Sequence, residues 1–135
     1  MLKKTQELFT LAAKARANAY APYSKFQVGA ALVDTNGQVF TGCNFENASY
    51  GGTICAERNA IGAMINAGGR KFTDIVVVTD VEKGCPPCGF CRQVLAEFVV
   101  DPDKAMVHVA NNKGIVKSYK ISELLPHAFD STYLA

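Results

Sequence analysis

The chain has 135 residues, 49% of them apolar and 19% charged, with a formal charge of +2. That length suits one domain, residues 1–135, whose core covers about two thirds of the unfolded surface. The small charge gives no basis for a nucleic-acid partner, and no stretch approaches the roughly 18 apolar residues of a membrane span.

Five cysteines are an odd number, and three of them have a metal-type spacing. That fits a reducing, cytoplasmic compartment better than a disulfide scaffold. Met1-Leu2-Lys3-Lys4 resembles the charged start of a secretory leader. The apolar run behind it, Leu8 to Ala13, is interrupted by Thr10 and gives way to Lys14, too short for such a leader.

In chain order, Leu8, Leu11, Ala12 and Ala15 recur at three and four residues among Lys3, Lys4, Lys14 and Arg16, which predicts an amphipathic helix from Leu2 to about Tyr20. Ala21-Pro22-Tyr23-Ser24 ends it. Phe26, Val28, Ala30 and Leu32 alternate as a strand does, and Asn36-Gly37 predicts a two-residue hairpin turn into a second strand, Gln38 to Cys43. Asn44 to Gly52 has the composition of a shaped loop. A helix capped by Thr53 and stopped at Gly68-Gly69 follows.

Asp74 to Thr79 is β-branched and suits a buried central strand, and a turn from Gly84 to Pro87 leads to a helix ending near Val100. Met106 to Ala110 and Ile115 to Ile121 supply two more strands around a turn at Asn111 to Gly114, with their relative direction open. A short helical segment begins at Ser122-Glu123 and is interrupted at Pro126. This order predicts an α/β fold of three layers, α/β/α, around a mixed five-stranded sheet.

Cys55, Cys88 and Cys91 offer three soft thiolates, the last two separated as one zinc ion requires. Glu57, two residues from a ligand, can act on whatever occupies a fourth position, which favours a catalytic site. The alternatives are a structural four-cysteine site using Cys85 or Cys43, or plain buried thiols. A helical projection sets Ile54, Ile61 and Ile65 on one stripe, with Glu57 and Arg58 on its two edges. Cys55 and Arg58, three apart, are neighbours, so Arg58 can donate to a thiolate and offset its charge. On the second helix Cys88, Cys91, Leu95 and Phe98 share a side. Both helices would then aim their N-termini at the metal, where free N–H groups and the helix dipoles stabilise anionic sulfur. Cys55 and Glu57 converge only if the first turn meets the metal end-on.

Cys55-Ala56-Glu57 followed by Pro87-Cys88-Gly89-Phe90-Cys91 is similar to the zinc deaminase signature in its three-cysteine form. The run from Tyr20 to Ala31, the segment Gly42 to Tyr50, and Leu124 to Phe129 resemble the short cytidine deaminases that act on free nucleosides. The resemblance spans nearly the whole chain. It implies hydrolytic conversion of cytidine and deoxycytidine to uridine and deoxyuridine, with one zinc per subunit and Glu57 moving protons from water to ring N3 and the departing amine. It further implies that the Ala56 backbone N–H holds the pyrimidine, that Asn44 and Glu46 bind the ribose hydroxyls, and that Phe26 packs along the substrate. Phe129 would reach the base from a neighbouring subunit of a homotetramer. His108 and His127 match no ligand position and read as structural. Two rivals compete with this reading: a deaminase of a related cytosine compound such as blasticidin S, and a non-catalytic zinc-stabilised domain.

Overall fold

The computed structural model describes residues 3–134. Helix α1 spans Lys3–Arg16; Leu2, where the sequence starts the helix, lies outside the described residues. The helix stops short of Tyr20 because Ala17, Asn18 and Ala19 bond to carbonyls three residues back, so the last turn tightens. Strand β1 runs from Gly29 to Asp34 and β2 from Val39 to Cys43, paired antiparallel.

Their connection differs from the expected two-residue turn. Asp34 N–H bonds to Gln38 O, leaving Thr35-Asn36-Gly37 as a three-residue loop, with Gly37 N–H on Asp34 O and Gly37 at φ +84°. This is a turn followed by a glycine bulge, the next commonest hairpin solution. The Asp34 side chain selects it, because its Oδ1 accepts from both Asn36 N and Gln38 N at 2.9 Å.

Helix α2 is Ala56–Asn66 and begins after Cys55, not after Thr53, which instead closes a 3-10 turn at Tyr50–Gly52. Strand β3 covers Phe72–Val78, and helix α3 covers Gly89–Glu97, ending before Val100 because Val99 turns back to bridge Phe72. Strands β4 (Met106–Asn111) and β5 (Gly114–Lys120) form an antiparallel hairpin, which answers the question of their direction. Ile121 starts the short α4 (Ile121–Leu124) and does not extend β5, with Glu123 Oε1 accepting the Lys120 N–H at its entry.

The sheet order is β2-β1-β3-β4-β5, with β3 and β4 parallel and the other neighbours antiparallel. Alternation along each strand sorts the core into two layers. Ala31, Val33, Val76, Val78 and Ala110 pack against Leu8 and Ala12 of α1. Ala30, Leu32, Ile75, Val77, Val107 and Val109 pack against α2, α3 and α4 on the other face. His108, on the α1 side, bridges Ser118 Oγ at 2.6 Å and Asp74 Oδ1 at 2.9 Å, a structural polar link across three strands.

The register carries the functional consequence. Gly29 pairs with Cys43 on one side and with Val78 on the other, so these three residues form one row across the sheet. The residues just beyond that row are Val28, Asn44 and Thr79, which gather at one end of the sheet. The chain beyond Asn44 leads into α2 and that beyond Thr79 leads into α3, so both helices start near this end. Gly42 allows α2 to lie close, since a Cβ there would stand 2.6 Å from Ala56 O and Ala60 N.

Candidate active site

Cys55 and Cys88 occupy equivalent positions, each the extended residue immediately before a helix, while Cys91 lies in the first turn of α3. The three sulfurs lie within 4.8 Å of one another, and Cys55 Sγ is 4.0 Å from Cys88 Sγ. A tetrahedral centre with zinc–sulfur bonds of about 2.3 Å places its sulfurs about 3.8 Å apart, so this separation suits zinc. Among the described residues no fourth His, Cys, Asp or Glu joins the group. Neither Cys85 nor Cys43 belongs to the group, which leaves the fourth position of a tetrahedral ion without a protein ligand.

Because Cys55 precedes α2, Glu57 stands in the first turn of the helix and not a half-turn away on its far side. It is 5% exposed and shares the buried face with Ala56, Ala60, Ile61 and Met64. Glu57 lies within this face and not at an edge of an Ile54-Ile61-Ile65 stripe, because Ile54 is outside the helix, bridged to Phe45, and the buried side is the one that carries Ala56, Ala60, Ile61 and Met64. Burial raises the Glu57 carboxyl to about 7, and the Cys55 charge adds to the rise.

A cavity of about 240 Å³ opens against this group. Cys55, Ala56, Glu57 and Cys88 line it on one side, and Phe26, Val28, Asn44 and Glu46 on another. Residues the sequence reading did not single out for the cavity complete it: Ser24, Thr53, Val77, Thr79, Cys85 and Pro86. The register of Gly29 with Cys43 and Val78 brings Val28 and Thr79 there, a long-range pairing that no local pattern reveals.

A family model described as the cytidine and deoxycytidylate deaminase zinc-binding region matches residues 2–109. The chain belongs to this zinc-binding deaminase family. A cytidine deaminase from Halalkalibacterium halodurans is 48% identical over 124 residues, covering 92% of each chain. Among solved structures, the cytidine deaminase from Burkholderia pseudomallei matches with a TM-score of 0.86 and 46% identity, over 96% of this chain and 100% of its own. That from Mycobacterium tuberculosis matches at 0.81 and 37%, over 96% and 98%.

The three-thiol cluster fits the zinc of this family in charge as well as spacing. Cys55 is lowered to about 5 because the Cys91 thiol donates to it and Arg58 adds positive charge, while the same bond and burial push Cys91 up. The pair thus shares a proton that a dication would displace. Arg58 Nη2 reaches Cys55 Sγ at 3.6 Å and Thr53 O at 3.4 Å, and its guanidinium lies 5.1 Å from the centre of the Phe90 ring.

Asn44 is buried, its Oδ1 accepting from Val28 N at 2.9 Å and its Nδ2 donating to Phe26 O at 2.8 Å. Glu46 accepts from the backbone of Tyr23 and Ser24 at 3.0 and 3.1 Å. Phe129 is 59% exposed, stacked on Tyr133 with ring centres 5.9 Å apart, and is not among the residues lining the cavity of its own chain. Arg92 ties the site to the last helix by donating to Pro87 O at 2.7 Å and Leu124 O at 3.0 Å.

Proposed function

We propose that the protein hydrolyses the 4-amino group of cytidine and deoxycytidine, giving uridine or deoxyuridine and ammonia, and so serves pyrimidine salvage. The observation that carries this reading is the buried Glu57, which shares one cavity with a three-thiol cluster that fits zinc. Relatives at 48% and 43% identity are cytidine deaminases, which points to the same substrate class.

Cys55, Cys88 and Cys91 hold the zinc, which when bound supplies the Lewis acidity that makes water nucleophilic near neutral pH. Glu57 takes the proton that water loses as a bond forms between its oxygen and C4, and places a proton on ring N3. It then takes the second proton from the hydroxyl now on C4 and delivers it to the amine as C4=O forms and the C4–N4 bond breaks, so water is consumed and ammonia leaves. The burial of Glu57 in the wall of the cavity beside the thiol cluster places it for both directions of transfer. The Ala56 N–H belongs to the first turn of α2, where backbone donors have no intrahelical partner, and it binds the pyrimidine. Phe26 packs along the base, while Asn44 and Glu46 take the ribose hydroxyls. Arg58 compensates thiolate charge.

The exposed Phe129 belongs over the base of a neighbouring subunit, and we place the chain in a homotetramer. Its five free cysteines fit a reducing cytoplasm, and no described helix is long and apolar enough to cross a membrane.

An ultraviolet assay comparing cytidine, deoxycytidine, cytosine, a cytidine nucleotide and blasticidin S, with and without chelator, tests the reading. Chelator-sensitive loss of the cytosine chromophore for the two free nucleosides supports it; turnover of blasticidin S alone, or of none, refutes it.

A further inference from the structure

Glu46 holds three donors within its own chain. Oε1 accepts the backbone N–H groups of Tyr23 and Ser24, and Oε2 accepts the Ser24 hydroxyl. A carboxylate offers about four acceptor positions, two on each oxygen. Oε1 is therefore filled, and Oε2 keeps one.

Ser24 is itself fixed. Its Oγ accepts the Phe26 N–H at 3.0 Å, which turns the hydroxyl hydrogen away from that side and leaves it for Glu46. The bond spans Lys25, whose φ of +61° is the left-handed conformation that residues with a Cβ rarely adopt. Lys25 N–H closes the same turn on Ala21 O at 3.0 Å. The backbone around Glu46 is held from the same segment, since Glu46 N donates to Tyr20 O at 2.9 Å and Tyr20 N donates to Asn44 O at 3.0 Å. Ser24 and Glu46 both line the cavity that contains Glu57.

We propose that Ser24 is a positioning residue for sugar recognition: its hydroxyl orients Glu46 so that the remaining acceptor position of Oε2 receives a ribose hydroxyl. The inference rests on the nucleoside reading above. The three donors also hold the Glu46 carboxyl below its usual range, the Ser24 hydroxyl most strongly, so it stays an ionised acceptor. Ser24 touches no reacting atom and acts through Glu46.

The test compares kcat and KM on cytidine and on 2′,3′-dideoxycytidine, which lacks the hydroxyls that Glu46 would receive. Ser24 is exposed, so Ser24→Ala leaves the fold intact. The expected result is a rise of about tenfold in KM for cytidine, the scale of one hydrogen bond to a charged group, with kcat within twofold of wild type. On 2′,3′-dideoxycytidine Ser24→Ala and wild type should agree within about twofold. Ser24→Thr, which keeps the hydroxyl, should restore the cytidine KM.

An equal loss on both substrates would assign Ser24 to the shape of the Phe26 turn and overturn the inference, as would no loss on either. A wild-type protein that turns over neither substrate would overturn the functional reading, and the inference with it. An active wild type whose Ser24→Ala effect ignores the sugar would overturn the inference alone.

Discussion

Cys55 and Cys88, thirty-three positions apart, stand at the same place on two helices, each the last extended residue before the first turn, with sulfurs 4.0 Å apart. Two helix N-termini thereby converge on one cluster of anionic sulfur, where unpaired N–H groups and helix dipoles stabilise negative charge. The cluster joins α2 to α3, so the metal also fastens the fold.

Removing the metal should therefore cost stability as well as turnover. Free metal at about a thousand times its dissociation constant stabilises a protein by about 4 kcal/mol, which for a domain of this size is on the order of 10–15 °C in Tm. Chelator treatment should lower Tm by that amount in calorimetry, and zinc addition should reverse it. Cys55→Ala should carry less than about a tenth of a zinc per chain; stoichiometric zinc in that variant would contradict the ligand assignment.

The role proposed for Arg58, whose Nη2 lies 3.6 Å from Cys55 Sγ, is to offset the excess negative charge of three thiolates. Replacing it with Ala or Gln removes a positive charge beside the centre, which disfavours loss of a proton from water there. The acid limb of the kcat/KM profile should move up by about one pH unit, equivalent to about 1.4 kcal/mol, or zinc retention should weaken. An unchanged profile with unchanged zinc content would remove Arg58 from this role.

Glu57 gives the metal-free protein its own pH dependence. Burial holds it at about 7 against an ordinary 4.5. Between those values the folded chain keeps a proton that the unfolded chain has lost, so this contribution to stability is complete below the unfolded pKa and is lost as pH rises through the folded one. Gln cannot ionise. Metal-free Glu57→Gln should therefore match wild type near about pH 4 and exceed it by on the order of 3 kcal/mol above about pH 7. Urea titrations at both ends check this; an advantage independent of pH would contradict the burial argument.

In the proposed assembly Phe129 lies over a neighbour's base. Phe129→Ala should raise KM without lowering Tm. Mixed with Glu57→Gln chains, it should recover wild-type KM at those sites that combine its own Glu57 with the neighbour's intact aromatic. Mixtures shown by mass to have exchanged subunits, yet without rescue, would place the site within one chain.

The chemistry of the site was more legible from sequence than its geometry. Three thiols and a carboxylate declare themselves through residue type and spacing, and the β-branched run from Asp74 to Thr79 marks a buried central strand, whereas only the structure sorts Ile75 and Val77 to one face and Val76 and Val78 to the other. The helix start was less legible. Thr53 is a better capping residue than cysteine, yet α2 begins after Cys55; Ile54, which helps define the sequence stripe, lies outside the helix, and the buried face is the one that carries Ala56, Glu57, Ala60, Ile61 and Met64. The hairpin misled for a similar reason: Asn36-Gly37 suits a two-residue turn, but the Asp34 carboxylate bonds Asn36 and Gln38 and draws in a third loop residue. Val28 and Thr79 enter the cavity only through strand register, and Ser24 is tied to Glu46 across a separation of twenty-two positions.

If Glu57 moves the protons while three cysteines hold the metal, the two functions separate in Glu57→Gln, and the decisive measurement is zinc content and cytidine turnover on the same preparation of that variant. The variant is expected to fold with about one zinc per chain and to turn over more slowly by at least the ~10²–10⁴-fold that loss of a positioned general acid–base implies. A Glu57→Gln protein with wild-type zinc and wild-type turnover would contradict that separation.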